Sequence, residues 1–141
     1  MNLPYADPLP RARAMLAVSR LVVRELERAG RLVDDRPELC LATLERWLDG
    51  EETLAAVHDA LDTMAGAVSD DREVVSATRC VLWTLRVGPI GVARAHEVTR
   101  AVTERAVGVL VALGETYDAA THRVRETWRA AYASPAGGSA P

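Results

Sequence analysis

The chain has no lysine, no phenylalanine and a single isoleucine, Ile90. Strands draw on β-branched and aromatic residues, and with Ile and Phe nearly absent that supply rests on valine. The apolar set is instead mainly Ala, Val and Leu, and Ala and Leu favour helix. Only two cysteines occur, Cys40 and Cys80. They lack the C-x-x-C spacing of a zinc or redox site and are predicted to be free, buried thiols. Nowhere do eighteen uncharged apolar residues follow one another, which argues against a membrane-spanning helix. The first residues, MNLPYADPLPRARA, lack the apolar run of a signal peptide. A cytoplasmic protein is the expectation.

Positive charge is also not clustered. All seventeen basic residues are arginines, mostly interleaved with the twenty acids, and the formal net charge is −3. Phosphate binding favours clustered positive charge, so nucleic acid is not the expected partner. The acids are uneven, however. Glu51 to Glu73 holds seven against Arg72 alone, whereas Ser76 to the end carries eight arginines against five acids. Such an asymmetry steers partners when it is exposed.

What is present describes a folded domain. At 141 residues, with 49% hydrophobic and 26% charged residues, the chain matches ordinary globular composition and is long enough to bury its own core. Three prolines in residues 1–10 predict an extended lead-in, with Leu3 and Tyr5 against the body. A bundle of about six antiparallel helices over residues 11–133 and a disordered tail over 134–141, SPAGGSAP, complete the expected all-α, single-domain architecture.

Punctuation places the helices. The first runs from Arg11 to Ala29 with Met15, Val18, Leu21, Val22, Leu26 and Ala29 inward, Gly30 as its stop, and Arg13, Arg20, Arg24, Glu27 and Arg28 on a solvated face. Asp34 or Asp35 caps a second helix with Pro37 in its first turn, an apolar stripe of Leu41, Leu44 and Leu48, and a stop at Asp49-Gly50. Glu51 and Glu52 open a third, to Val68, with Leu54, Val57, Leu61, Met64 and Val68 inward. A fourth follows Ser69-Asp70-Asp71 and buries Val74, Ala77, Val81, Leu82 and Leu85 before Gly88-Pro89-Ile90-Gly91 breaks the chain. The fifth spans Val92 to Leu113, with Gly114 after it, and the sixth Glu115 to Ala133, aligning Tyr117, Val124, Trp128 and Ala131.

Catalytic chemistry finds little to work with. His58, His96 and His122 fall on three different helices, two of them with a carboxylate four residues on, Asp62 and Glu126. Helical bundles build metal sites from Glu-x-x-His pairs facing the core, but no such pair occurs, and the helical projection sends His122 outward. No metal or cofactor is expected. No serine has a nucleophile elbow, and Gly88-x-x-Gly91 follows a helix and contains a proline, unlike a phosphate loop. Trp47, Trp83 and Trp128 are each core residues or interface anchors, Trp47 most evenly so.

At Asp34-Asp35-Arg36-Pro37, then Ala42 and Trp47, then Gly50-Glu51 and the Ala-rich Ala55-Ala56, the chain resembles the immunity protein family found with bacterial polymorphic toxins. That family's pattern is an Asp-Arg-Pro start, a short helix carrying a Trp, a Gly-Glu step and several Ala-rich amphipathic helices. The likeness covers about Asp34 to Leu113 and departs from the pattern at Val81-Leu82-Trp83-Thr84-Leu85; the family's Ala-His pairs have only Ala95-His96 as a counterpart. It implies a non-catalytic intracellular antidote that binds and blocks a cognate toxin domain. The residues it points to are Arg46, Trp47, Asp49, Glu51, Glu52, Asp59 and Asp62, an acidic surface around one aromatic, suited to a basic, nucleic-acid-cleaving toxin. Two other readings stand beside it. One is a self-associating structural or regulatory bundle, a homodimer formed by the apolar flanks of helices four and five. The other is a metal-dependent small-molecule enzyme.

Overall fold

A computed structural model describes residues 3–4, 8–31, 35–66 and 92–134. Among these residues the protein is all-helical, with no strand. Five helices are seen: α1 (Pro8–Arg28), α2 (Arg36–Leu48), α3 (Leu54–Gly66), α4 (Val92–Ala112) and α5 (Tyr117–Ala133). The helix expected between Ser69 and Val87, with Cys80 and Trp83, and the Gly88–Gly91 break lie outside the described residues.

Three helices end in the same way, at the glycines expected from the sequence. Gly30, Gly50 and Gly114 take φ of 68°, 77° and 108°, a region that glycine enters without the Cβ penalty. After α1, Arg31 N–H donates to the Leu26 carbonyl and Gly30 N–H to that of Glu27. After α2 the pairs are Glu51 to Arg46 and Gly50 to Trp47, and after α4 they are Glu115 to Leu110 and Gly114 to Val111. This is the Schellman arrangement, which satisfies carbonyls that a helix end leaves open.

α4 begins at Val92 as expected, but other starts differ in detail. α1 begins at Pro8 rather than Arg11, so the extended lead-in is shorter than ten residues. Pro8 and Pro10 fit there because first-turn amides have no intrahelical acceptor to lose. Asp35 occupies the N-cap of α2, but its side chain makes no capping bond; its φ of −91° and ψ of 5° are not the extended conformation that aims a carboxylate at the first amides. Asp34 lies outside the described residues. α3 starts at Leu54, with the Thr53 hydroxyl accepting from Ala56 N–H at 3.2 Å, so Glu51 and Glu52 belong to the connection and not to the helix. α5 likewise starts at Tyr117, where Thr116 accepts from Ala119 N–H at 3.1 Å.

α1 is the hub. It packs on α2, α4 and α5, most extensively on α5, while α4 packs on α5 and α3 on α2. Three neighbours demand more than one stripe, and Ala12, Ala14, Met15, Leu16, Val18, Ser19, Val22, Val23 and Leu26 are all buried, an arc of about 200° at 100° per residue. Ala29, expected inward, is exposed because the helix has already ended. Buried side chains of α2 (Cys40, Leu41, Leu44), α3 (Val57), α4 (Val102, Ala106, Val107, Val109, Leu110) and α5 (Ala120, Val124, Trp128) complete one core. Leu3 joins it, and the Trp128 indole N–H donates to the Pro4 carbonyl at 2.6 Å, strapping the lead-in across α5.

Polar contacts give the directions. Glu25, near the end of α1, meets Arg123 at 3.1 Å, and Pro4, just before α1, meets Trp128 further along α5, so α1 and α5 run antiparallel; Arg123 also meets Glu115 at 2.6 Å. Tyr117 was expected inward but is 69% exposed. It lies six residues before Arg123, about 9 Å along the axis, whereas α1 continues only three residues past Glu25, about 4.5 Å. The stripe is in phase, but α1 has run out.

Candidate functional site

The α2–α3 hairpin carries all seven residues that the resemblance singles out. Arg46 and Trp47 are in the last turn of α2, Asp49, Glu51 and Glu52 in the connection, and Asp59 and Asp62 on α3. Asp59 and Asp62 are exposed; they project away from buried Val57, as 200° and 140° of helical rotation require. Trp47 is half-buried and packs on the core, which makes it part support and part surface. Glu51 is exposed.

The hairpin's own bonding divides this set. Arg46 Nε lies 3.7 Å from Glu52, and Asp49 accepts from Arg13 of α1 at 2.8 Å. Glu52 also accepts from Thr53 N–H at 3.2 Å. These three charges therefore have intramolecular work. Glu51, Asp59 and Asp62 have no ion-pair partner among the described residues. Among the described residues, the exposed and unpaired part of the acidic segment is thus Glu51, Asp59 and Asp62, on the hairpin that also carries the half-buried Trp47.

Two residues that the sequence assigned to a solvated face matter here. Arg13 and Arg20 are half-buried and cross from α1 to α2. Arg20 bonds Glu45 and approaches Glu38 at 4.0 Å, while Arg13 bonds Asp49. The order of these contacts makes α1 and α2 antiparallel. The readable signal was the seven-residue spacing of Arg13 and Arg20 opposite acids Glu38, Glu45 and Asp49 on the next helix; two turns of helix bring residues seven apart back to one face. Between α1, α2 and the end of α5 lies an open cleft of about 240 Å³ lined by Arg13, Leu16, Ala17, Arg20, Glu45, Ala131 and Ser134. Both of its arginines are already engaged by carboxylates, so it offers no uncompensated cation to an anionic ligand.

The histidines stay apart on three helices, His58 half-buried and His96 and His122 exposed. Among the described residues no group of three His, Cys, Asp or Glu side chains stands together as a metal site would require. Burial pushes the Cys40 thiol up to about 11, so at neutral pH it is protonated and a poor nucleophile. Burial also lowers the pKa of the Arg11 guanidinium, which lies near Tyr132. No described helix is long and apolar enough to cross a membrane. Compared with protein-family models, with characterised proteins and with solved structures, the chain matches none.

Proposed function

We propose that this protein is a non-catalytic binding protein of immunity type, which neutralises a cognate bacterial toxin domain by covering it with the α2–α3 hairpin. The observation that carries the reading is the set Glu51, Asp59 and Asp62, exposed on the hairpin that also carries Trp47 and without an ion-pair partner among the described residues. Uncompensated charge at a surface favours a partner of opposite potential, speeding encounter and fixing orientation, and a half-buried indole provides the amphipathic contact area on which interfaces concentrate their energy. The Asp-Arg-Pro, Trp and Gly-Glu pattern of the resemblance lies on the same hairpin. The toxin that fits is basic, as an enzyme that grips nucleic acid must be.

The test uses the protein encoded beside this chain's gene, expressed as an inactive variant and titrated against the purified chain. Wild type is expected to form a stoichiometric complex whose affinity weakens with salt, and Glu51→Lys/Asp59→Lys/Asp62→Lys is expected to lose it while keeping its helical spectrum. Affinity unchanged by the triple reversal overturns the proposed surface. A second reading, self-association, draws on Leu39 and Val111, which are 57% and 40% exposed on α2 and α4. Sedimentation equilibrium separates the two, because a concentration-independent monomer excludes self-association.

A further inference from the structure

We infer that Arg13, on α1 and outside the seven hairpin residues, is a positioning residue for the α2–α3 connection: by neutralising Asp49 it keeps that connection in the conformation that presents Glu51. The inference rests on the reading of the hairpin as the partner surface.

The connection is fixed residue by residue. Asp49 is the C-cap of α2, in helical conformation at φ −83° and ψ 0°. Gly50 turns the chain at φ 77°. Its N–H donates to Trp47 at 3.0 Å, and Glu51 N–H donates to Arg46 at 2.8 Å. Glu52 is turned back to Arg46 and to Thr53 N–H, and Thr53 caps α3. Of the three acidic side chains in this connection, that of Glu51 alone has no partner among the described residues.

Asp49 is the weak point of that arrangement. A helix C-terminus carries the negative end of the dipole, where a carboxylate is unfavourable and a cation favourable. Glu51 and Glu52 follow immediately and add like charge. A cation held against Asp49 offsets both effects, and Arg13 supplies it at 2.8 Å. The arginine is held firmly: its side chain is 17% exposed, it springs from a helix segment whose Ala12, Ala14 and Met15 are buried, and its Nε is buried with no hydrogen-bond partner among the described residues. A guanidinium left to itself would turn that N–H to water, since leaving it unmade is costly. The contact with Asp49 is what the placement secures. Without Arg13, the carboxylate is repelled by the helix end and by its neighbours, the turn loosens, and binding must re-order it. Ordering an interface loop on binding lowers affinity even though no contact is lost.

Three variants and two readouts test this. In Arg13→Ala, amide exchange at Gly50 and Glu51 is expected to speed up while Val109 and Leu110 in α4 keep their protection, and affinity for the neighbouring gene's product is expected to fall about fivefold to tenfold. Arg13→Lys, which keeps the charge, is expected to retain most of the affinity. Arg13→Ala/Asp49→Asn, which removes the repelled carboxylate, is expected to recover both the protection and the affinity; a merely structural role for Arg13 would not be rescued by changing Asp49. Wild-type exchange and affinity in Arg13→Ala, in a protein whose binding is abolished by the Glu51, Asp59 and Asp62 reversal, overturns the inference and leaves the surface reading standing. Binding indifferent to that reversal overturns both.

Discussion

The two sides of α1 solve different problems. Toward α5 the helix is sealed by apolar side chains, with Trp128 completely buried and tied to Pro4. Toward α2 a small buried set, Cys40, Leu41 and Leu44, is bordered by arginine–carboxylate pairs at Arg13 and Arg20. Burial of apolar area is strong and tolerant of direction, whereas half-exposed ion pairs contribute little energy but choose which carboxylate lies opposite which arginine. The α5 side therefore supplies stability, and the α2 side supplies the placement of the hairpin that carries the candidate surface.

The sharpest way to break that contrast is at Trp128. Removing a fully buried indole costs about 3–5 kcal/mol through lost burial and the cavity left behind, and here it also frees the Pro4 carbonyl and the lead-in with Leu3. Trp128→Ala is expected to lower urea stability, followed by circular dichroism, by that amount, and Trp128→Phe by distinctly less. A loss below about 1 kcal/mol for the alanine variant, the scale of a surface pair, would put the main stabilising interface elsewhere.

The α2 side has its own buried group, and it makes that side sensitive to alkali. Burial holds the Cys40 thiol at about 11 in the folded protein, above its ordinary value of about 9. A folded pKa above the unfolded one means that the unfolded chain releases its proton first. The contribution is then fully present below pH 9 and lost as the pH rises toward 11. The loss is of the order of 2 kcal/mol. Cys40→Ala, compared with wild type from pH 8 to 11, is expected to lack this part of the decline; parallel pH profiles for the two proteins would mean that the thiol ionises as easily folded as unfolded.

How much of this was legible in the sequence follows the range of each interaction. The stops at Gly30, Gly50 and Gly114 are local, because a positive φ is the property of one residue, and all three stand where the pattern put them. The start of α4 at Val92 stands where it was expected, while those of α3 and α5 were read two or three residues too early. Acids at Glu51, Glu52 and Glu115 suggested helix N-termini by charge, while the hydroxyls of Thr53 and Thr116 took the capping geometry. α1 looked like a one-sided helix because periodicity reports a stripe and does not count neighbours. Arg13 and Arg20 were assigned to solvent for a related reason: their partners lie 36 and 25 residues away, and only the packed direction of α2 brings them together. In the candidate site, the hairpin and its exposed Asp59 and Asp62 were readable; the division of its charges into paired and unpaired was not.

The smallest expected effect is also the one that tests the placing role. Arg20 and Glu45 have side chains 26% and 51% exposed, so water and salt screen them, and a double-mutant cycle with Arg20→Ala and Glu45→Ala is expected to give a coupling of about 0.2–1 kcal/mol. It should shrink when salt is raised from 0.05 M to 1 M, where the Debye length falls to about 3 Å. If the pair mainly sets register, exchanging its charges as Arg20→Glu/Glu45→Arg keeps much of the stability, while either single reversal, which sets like charges against each other across the seam, costs more than either alanine. A single reversal no worse than alanine would mean that the pair is incidental. The apolar residues Cys40, Leu41 and Leu44 would then be setting the hairpin's position without help from the charges around them.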